Sequence, residues 1–348
     1  MMSKAYQPGE RTVCTRPFEW FEVHPGGEVF LCCPAWLPRP VGNLLEEPAP
    51  EIWNGPRARE LRKAVLNGTF HNCSRRRCPR LATGTGPVQS LAGVPRGPVG
   101  TALRQGESVL DYGPRVLNLC FDRSCNLACP TCRVAPYLAG GEEGARAARI
   151  LETLRAEVFP GAAAIVLSGT GDPFASPLYR DLLRSVRAED FPALERIELH
   201  TNGLLWDAAM WRSMEAVHPY VRAAEISVDA ATSETYAAIR KGGDFPRLLR
   251  NLSYVASLPL DLKLSFVVQA DNFREMPAFA ELARRFGAAV YFSRLVNWGT
   301  FSREEFGRRA VHRLGHPEHG EFLAVLRRVA SLSHVDPGNL LPLVAGGS

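Results

Sequence analysis

The sequence predicts an α/β fold built on an open, partial (β/α)6 barrel, with a cysteine-rich region before it and helices after it. Three observations predict this fold. Beyond residue 114, six short apolar runs alternate with helical patterns, which indicates a parallel sheet with right-handed crossovers. Six units are too few to close an eight-stranded barrel, so the barrel is TIM-like but open. Eight of the nine cysteines form two groups, one within the first 80 residues and one just after the first apolar run.

Length and composition are those of a soluble globular protein. The chain has 348 residues, of which 46% are hydrophobic and 22% charged, and it lacks an apolar run near the ~20 residues of a membrane span. Its first residues have no apolar signal core, so we expect a cytoplasmic protein with free thiols. A formal net charge of +5 is too mild to indicate nucleic-acid binding.

The chain is predicted to have four segments. Residues 1–80 form the cysteine-rich domain, 115–300 the barrel and 301–348 a helical extension. Residues 81–114 are rich in Gly and Pro, and we expect a long connection with little regular structure. The predicted strands are 116–120, 164–168, 196–200, 224–228, 262–268 and 289–292. The predicted helices lie near 143–157, 177–187, 207–216, 232–239, 245–256, 275–286, 302–313 and 318–332.

The most informative motif is a run of three cysteines, Cys125, Cys129 and Cys132, spaced C-x3-C-x2-C after the first predicted strand. In parallel α/β folds that position is the catalytic edge. Three thiolates can ligate three irons of a four-iron cluster and leave one iron for a non-protein ligand. Zinc is the alternative, but it usually takes a fourth protein ligand and two C-x2-C knuckles. A disulfide framework suits small secreted chains instead.

A C-x3-C-x2-C loop after the first strand of a six-unit barrel resembles the radical S-adenosylmethionine (SAM) superfamily, over roughly residues 112–295. The resemblance implies that the three cysteines hold a [4Fe-4S] cluster whose open iron binds SAM. Reduction then cleaves SAM to methionine and a 5′-deoxyadenosyl radical, which removes hydrogen from a C–H bond. Thr131 stands where the family often has an aromatic residue.

The stretch after the second strand, Thr170-Gly171-Asp172-Pro173, resembles the family's GGEP motif, with Asp in place of the usual Glu. The resemblance implies that backbone groups here bind the SAM ammonium, since glycine lets the backbone approach a ligand closely. Taken alone, the stretch is equally compatible with an ordinary β–α turn.

Later strand ends supply the remaining SAM candidates. Thr201 and Asn202 lie in a stretch similar to the family's TNG motif, which implies contacts to the ribose or carboxylate, although helix capping is an alternative. Ser227-Val228-Asp229 is similar to the family's S-[IV]-D run, which implies a ribose contact for Ser227, and Asp229 either faces substrate or caps the next helix. Arg294 either pairs with the SAM carboxylate or is an exposed structural arginine.

The N-terminal cysteines resemble a SPASM-type auxiliary cluster domain, which normally follows the barrel rather than preceding it. The matching order is a cysteine, G-x4-C, G-N, I-W and a pair of cysteines. The resemblance implies a second [4Fe-4S] cluster held by Cys14, Cys32, Cys73 and Cys78. Cys33 is the spare, although it could exchange roles with Cys32, and structural zinc is the alternative for the group.

A basic patch, Arg75-Arg76-Arg77 with Arg80, lies beside Cys78. It is either a solvated loop or a docking site for an acidic electron carrier, and we expect a flavodoxin- or ferredoxin-type reductant as a partner.

The fate of the substrate radical decides the reaction. Loss of an electron to the auxiliary cluster gives dehydrogenation, whereas return of hydrogen from a thiol gives epimerisation. Cys120, in the first strand, and Cys33 are the candidate hydrogen donors. Cys120 is alternatively a buried small hydrophobic residue, and Cys33 an unused ligand.

We therefore expect an epimerase or dehydrogenase (oxidoreductase) acting on a polar, sugar-like small molecule, without nucleic-acid or membrane partners. No leader-peptide-binding module is recognisable near the N-terminus, which favours a substrate that is not a ribosomal peptide. The alternative is a maturase of a ribosomally made peptide, because SPASM-type clusters are common in that group. The SAM-like motifs argue against a mere electron carrier, and a cobalamin-dependent methyltransferase would need a further domain before the barrel.

Overall fold

The computed structural model of the protein describes residues 11–74, 77–167 and 169–344. The chain divides into two compact units. Unit 1 comprises Met1–Phe121, Arg146–Ile165 and Ala188–Leu194, and unit 2 comprises Asp122–Ala145, Val166–Arg187 and Glu195–Ser348. Within the described residues, no helix combines the length and apolar character that crossing a membrane requires.

Unit 1 is assembled mostly from short elements. Its strands are β1 (Thr12–Cys14), β2 (Trp20–Val23), β3 (Glu28–Phe30), β4 (Gly42–Asn43), β5 (Val88–Ser90) and β6 (Val116–Leu119). Its helices are α1 (Arg16–Glu19), α2 (Ala49–Trp53), α3 (Pro56–Leu66), α4 (Pro79–Thr83) and α5 (Pro98–Gln105). Two further elements, α6 (Gly141–Glu157) and β7 (Ala164–Leu167), cross the division between the units.

Unit 1 holds four strands in the order β6-β2-β3-β4. β2 is parallel to β6, whereas β3 is antiparallel to both β2 and β4. The turn between β2 and β3 needs Gly27, which has φ 86° and whose added Cβ would lie 2.3 Å from the Asn43 Oδ1 atom. The G-x4-C and G-N motifs therefore meet at one turn. β1 and β5 form a separate antiparallel pair.

The connection over residues 81–114 is more regular than its Gly and Pro content indicates, because these residues cap elements as well as interrupt them. Gly97 and Pro98 begin α5, and Gly106 ends it with φ 74°. The end of the connection is held by α2, where the Trp53 indole donates to the Tyr112 carbonyl at 2.7 Å. Arg62, fully buried with a pKa lowered to about 10 by burial, donates to the Ser108 carbonyl at 3.1 Å.

Unit 2 alternates parallel strands with helices. Its strands are β8 (Arg196–Thr201), β9 (Val221–Ser227), β10 (Asp261–Val268), β11 (Ala289–Arg294) and β12 (Val335–Asp336). Its helices are α7 (Pro177–Arg184), α8 (Ala208–Arg212), α9 (Ser233–Ile239), α10 (Phe245–Val255), α11 (Met276–Arg285), α12 (Arg303–Arg309), α13 (His319–Ala330) and α14 (Leu341–Val344). The strand order is β12-β11-β10-β9-β8, with every pair parallel.

The strands of unit 2 have two different faces, because successive side chains alternate. One face is apolar and buried, and includes Leu199, Ile226, Leu264, Phe266 and Phe292. Side-chain oxygens cap the helices that follow the strands, which satisfies their free N–H groups. The capping residues are Ser176, Asp207, Thr232, Asp244 and Ser302.

The predicted α/β class with a parallel sheet is confirmed, with the cysteine-rich region at the N-terminus. Five of the six predicted strands match β6 and β8–β11, although β9 begins three residues earlier than predicted. The sixth matches β7, but Ser168 lies outside the described residues. The sequence patterns did not indicate β12 or the strands of the cysteine-rich region, which are two to four residues long and too short to show an alternation.

Candidate functional site

The three cysteines after β6 lie on one loop of unit 2 that is closed by backbone hydrogen bonds. The Cys125 N–H donates to the Tyr137 carbonyl at 2.7 Å, and the Tyr137 N–H donates back at 2.9 Å. The Ala128 N–H donates to the Lys241 carbonyl at 2.9 Å. We call residues 122–139 the triplet loop. All three cysteines lie on this loop, and neighbouring thiols are close enough to influence one another's pKa. Their role as cluster ligands stays a prediction.

The three thiols differ in exposure. Cys129 is buried, Cys125 is half-buried and Cys132 is exposed. Burial raises the pKa of the Cys125 thiol to about 11, and the Asp172 carboxylate adds to the rise. Burial also raises the pKa of Cys129, which the Arg240 guanidinium opposes. Three clustered soft donors, open to solvent at one end, fit a four-iron cluster that keeps one iron for another ligand.

Asp172 holds the SAM-motif segments of unit 2 together. Its carboxylate is 2% exposed. One oxygen accepts from the Thr201 hydroxyl at 2.7 Å and the Asn202 N–H at 2.8 Å. The other accepts from the N–H groups of Phe174 at 3.0 Å and Ala175 at 3.3 Å. Because all four bonds come from protein, the structure places this carboxylate as an organiser of the strand ends.

Gly171 is required by the close approach of the triplet loop. An added Cβ would lie 2.4 Å from the Asp122 carbonyl oxygen and 2.7 Å from that of Ser124. The next N–H, of Asp172, donates to the same Ser124 oxygen at 2.7 Å. The backbone of the stretch that resembles GGEP therefore packs directly against the triplet loop. This close packing explains why a glycine is needed at position 171.

Asn202 contacts the triplet loop itself. Its side-chain nitrogen lies 2.9 Å from Asn126 Oδ1 and 3.9 Å from Cys125 Sγ. The Thr201 hydroxyl, by contrast, donates a hydrogen bond to the Asp172 carboxylate and accepts one from the Gly203 N–H at 3.1 Å. The two residues of the TNG-like stretch thus have different local roles.

The other predicted SAM contacts are spread over further strand ends of unit 2. The Thr170 hydroxyl lies 3.4 Å from the Asp122 carbonyl oxygen. The Ser227 hydroxyl lies 3.2 Å from that of Ser265, and Arg294 is half-buried at the end of β11. Their roles as SAM contacts stay predictions, as do those of Gly171, Asp172, Thr201 and Asn202.

A buried ion pair beneath the triplet loop was not expected from the sequence. Arg240 Nη2 lies 2.7 Å from Asp229 Oδ2, and Arg240 Nη1 lies 3.8 Å from Cys129 Sγ. Asp229 has φ 63°, an uncommon conformation for a residue other than glycine. Thr232 rather than Asp229 caps the next helix, and both carboxylate oxygens of Asp229 accept from protein groups.

In unit 1, the thiols of Cys32, Cys73 and Cys78 are close enough to Cys14 to influence its pKa, and the role of all four as cluster ligands stays a prediction. Burial raises the pKa of the Cys14 thiol, and the thiols of Cys32, Cys73 and Cys78 add to the rise. Burial raises the pKa of Cys33 to about 12, and the charges of Glu22 and Cys32 add to the rise. Which of Cys32 and Cys33 is a cluster ligand stays a prediction. Arg75 and Arg76 of the basic patch lie outside the described residues.

Cys120 is buried in unit 1 beside two polar residues of β2 and the following turn. The ligand atoms of Cys120, Glu22 and His24 lie within 4.8 Å of one another, and His24 Nε2 is 2.9 Å from Glu22 Oε1. Sequence reasoning missed this group because its members are almost a hundred residues apart. Whether Cys120 or Cys33 takes part in catalysis stays a prediction.

The second face of the unit 2 strands is polar, and sequence reasoning missed it too. His200 Nε2 lies 2.8 Å from Glu198 Oε1, and Lys263 Nζ lies 3.0 Å from Glu225 Oε2. The hydrogen bond from His200 lowers the pKa of Glu198. These side chains are only partly buried. The alternation of these polar residues with apolar residues along each strand could have indicated a polar face.

Two family models match the chain. The radical SAM superfamily model matches residues 120–283, and the SPASM model, described as an iron–sulfur cluster-binding domain, matches residues 14–79. The predicted cofactors are thereby confirmed: a SAM-binding [4Fe-4S] cluster, auxiliary iron–sulfur binding and SAM. Because the SPASM model is described as an iron–sulfur cluster-binding domain, its match argues against structural zinc at the N-terminal cysteines.

The curated relatives are maturases. Mycofactocin maturase MftC of Mycobacterium tuberculosis is 31% identical over 202 residues, which cover 57% of this chain and 49% of that protein. MftC of Mycolicibacterium smegmatis is 29% identical over 209 residues, covering 57% and 48%. The chain thus spans about half the length of the curated relatives it matches.

A solved structure with related features is anSMEcpe with bound AdoMet and Cp18Cys peptide. It is 16% identical with a TM-score of 0.47, and the match covers 67% of this chain and 62% of that one. A likeness of this size carries no inference about this chain.

The comparisons correct two expectations. All four matching curated relatives are maturases, so the expected epimerase or dehydrogenase of a sugar-like metabolite is wrong. The expected saccharide partner is wrong for the same reason. The prediction was misled because it used the apparent lack of a leader-binding module to infer the substrate class. The presence or absence of such a module does not determine which substrate the catalytic residues act on.

Proposed function

We propose that this chain, which the radical SAM superfamily model matches over residues 120–283 and the SPASM model over residues 14–79, is a maturase of a ribosomally made precursor peptide. The observation that carries the proposal is the match to mycofactocin maturases over more than half of this chain. A maturase completes a precursor, so the radical acts on a larger molecule than a free metabolite.

The residues of the triplet loop have the chemistry to hold the SAM-binding cluster. Cys125, Cys129 and Cys132 would ligate three irons, and the exposed Cys132 side of the loop leaves access for SAM. When bound, the cluster supplies the electron that cleaves SAM and so starts hydrogen abstraction. The rest of the task is positioning, because a radical needs its target carbon held in contact.

The strand ends of unit 2 would position SAM around that loop. Asp172 fixes the backbone of the TNG-like stretch, and Asn202 ties that stretch to Asn126 of the loop. Gly171 brings backbone groups against the same loop. These contacts support a bed for SAM made largely of backbone groups, with Ser227 and Arg294 as further candidate contacts.

The polar face of the unit 2 strands is the proposed substrate wall. It carries acceptors on Glu198 and Glu225 and a donor on Lys263, all partly exposed. A peptide backbone offers both donors and acceptors at regular intervals, so such a mixed face can bind it without leaving polar groups unpaired. In unit 1, Cys14, Cys32, Cys73 and Cys78 would hold the auxiliary cluster.

The test is peptide-dependent turnover. Reconstituted enzyme, dithionite and SAM are incubated without oxygen with short peptides encoded beside its gene, with the mycofactocin precursor, or with nucleotide sugars. We expect one of the peptides to accelerate 5′-deoxyadenosine formation and to change its own mass. SAM cleavage that no peptide accelerates, or that a sugar accelerates with a change in the sugar, would reject the maturase proposal while leaving the radical SAM assignment intact.

A further inference from the structure

Each sulfur of the triplet loop lies next to a nitrogen that donates hydrogen bonds. Asn202 Nδ2 lies 3.9 Å from Cys125 Sγ, Arg240 Nη1 lies 3.8 Å from Cys129 Sγ, and Arg133 Nη2 lies 3.5 Å from Cys132 Sγ. Two of the three donors are guanidinium groups. We propose that Arg133 and Arg240 raise the reduction potential of the SAM-binding cluster through these N–H contacts to its cysteine sulfurs.

Arg240 is fixed in place from the other side. It is held by the 2.7 Å ion pair with Asp229, whose second oxygen accepts from the Val267 N–H at 2.7 Å. The Asp229 carbonyl in turn accepts from the Asn272 side chain at 3.0 Å. A guanidinium can serve a carboxylate and a sulfur at once because its donors form a rigid fork. Arg240 therefore presents one N–H toward Cys129 in a defined direction.

Arg133 is fixed by carbonyl groups of its own unit. Its guanidinium donates to the backbone carbonyls of Arg123 and Thr170 as well as approaching Cys132. No carboxylate is among these described partners. The positive charge beside Cys132 is therefore not offset by a counter-ion in that set, unlike that of Arg240.

These contacts favour the reduced state of the cluster. Reduction adds one negative charge, which spreads onto the cysteine sulfurs, and nearby N–H donors and positive charges stabilise it. The cysteines of unit 1 show a different pattern. Cys32 Sγ lies 3.2 Å from the neutral Trp36 indole nitrogen, and Cys78 Sγ accepts from the Leu81 backbone N–H at 3.4 Å. These two donors are neutral, and the guanidinium that influences Cys32 is that of Arg16, which none of the variants changes, so the auxiliary site serves as an internal reference.

The test is a redox titration of the reconstituted full chain, followed by electron paramagnetic resonance. The signal that changes on adding SAM belongs to the triplet cluster, and the other belongs to the auxiliary site. In Arg133→Gln, we expect the ratio of reduced to oxidised triplet cluster at a fixed potential to fall about tenfold, which is about 59 mV for one electron. Arg240→Lys keeps a charge beside Asp229 but loses the fork, and is expected to shift the ratio in the same direction.

Arg123→Gln is the matched control. Arg123 is an exposed arginine of the same loop, and its guanidinium lies over the Tyr137 ring at 5.6 Å. The substitution therefore removes one positive charge from the loop without removing a contact to a cysteine sulfur. We expect a shift below about twofold for it and no shift of the auxiliary signal in any variant. The proposal is overturned if Arg133→Gln, with full iron content, titrates like the native chain. It is equally overturned if Arg123→Gln shifts as far, or if Arg133→Gln loses the cluster iron, which would assign Arg133 to holding the loop.

Discussion

Replacing Asp172 with Asn tests whether this carboxylate organises the strand ends. The two carboxylate oxygens accept four hydrogen bonds, two from the TNG-like stretch and two from the start of the following turn. An amide can accept through one oxygen only, so Asp172→Asn loses one pair and turns an NH2 group toward donors. Each bond to a charged group contributes about 1.5–3 kcal/mol. Losing two such bonds costs about 3–6 kcal/mol. Part of this cost is offset because Asn buries no charge, so we expect about 3 kcal/mol of local destabilisation.

The assay is hydrogen exchange of the backbone amides in residues 172–176 and 201–204, read by mass spectrometry. A loss of about 3 kcal/mol makes local opening roughly 100-fold more frequent, so these amides should exchange that much faster. SAM affinity should fall with it. The control is Asp181→Asn, whose side chain is 76% exposed on α7. Native exchange in Asp172→Asn, together with unchanged SAM affinity, would refute the reasoning.

Three further predictions follow from particular contacts. Gly171→Ala forces a methyl group onto two backbone carbonyls, which should lower the free energy of unfolding by about 1–3 kcal/mol and weaken SAM binding. The control is Gly140→Ala, whose Cβ meets nothing within 4 Å and which should leave thermal unfolding and SAM affinity unchanged. Equal effects of the two substitutions would contradict the account. Cys32→Ser should lose the auxiliary iron measured after reconstitution while Cys33→Ser keeps it, and the opposite result would exchange their roles. Burial, with help from the Arg294 charge, lowers the pKa of His312 from 6.5 to about 4. The folded chain therefore resists protonation, and its free energy of unfolding should fall by about 1.5 kcal/mol between pH 6.5 and pH 5. Urea unfolding of His312→Phe should lack that loss, and an identical pH dependence would show that His312 is not responsible.

Short apolar or alternating runs made the barrel strands predictable. β7 is continuously apolar, whereas β10 and β11 alternate apolar with polar residues, and their Val, Phe and Tyr residues suit a pleated strand. The close spacing of the three cysteines likewise predicts that they share one loop after the first barrel strand, and the structure has them on the triplet loop after β6. Each of these signals is local in the chain.

The parts that escaped prediction depend on distant contacts. Arg240 follows a short helix, and nothing in its neighbourhood indicates that it will pair with Asp229 and reach Cys129. The hydrogen bonds that Asp172 accepts from Thr201 and Asn202 were not predicted, because a motif names a residue but does not say which groups bond to it. The strands of the cysteine-rich region were missed because two to four residues carry no periodicity. The substrate class was missed because the motifs that could be read concern SAM.

The central claim is that the triplet loop generates the radical and that the N-terminal cysteines hold a separate cluster. The most direct measurement is 5′-deoxyadenosine formed from SAM and dithionite by reconstituted chains without added substrate. A chain with Cys125, Cys129 and Cys132 all changed to Ser should form none, whereas one with Cys14 and Cys32 changed to Ser should still cleave SAM at the triplet cluster. SAM cleavage by the first variant, or its loss only in the second with the triplet cluster intact, would contradict the account.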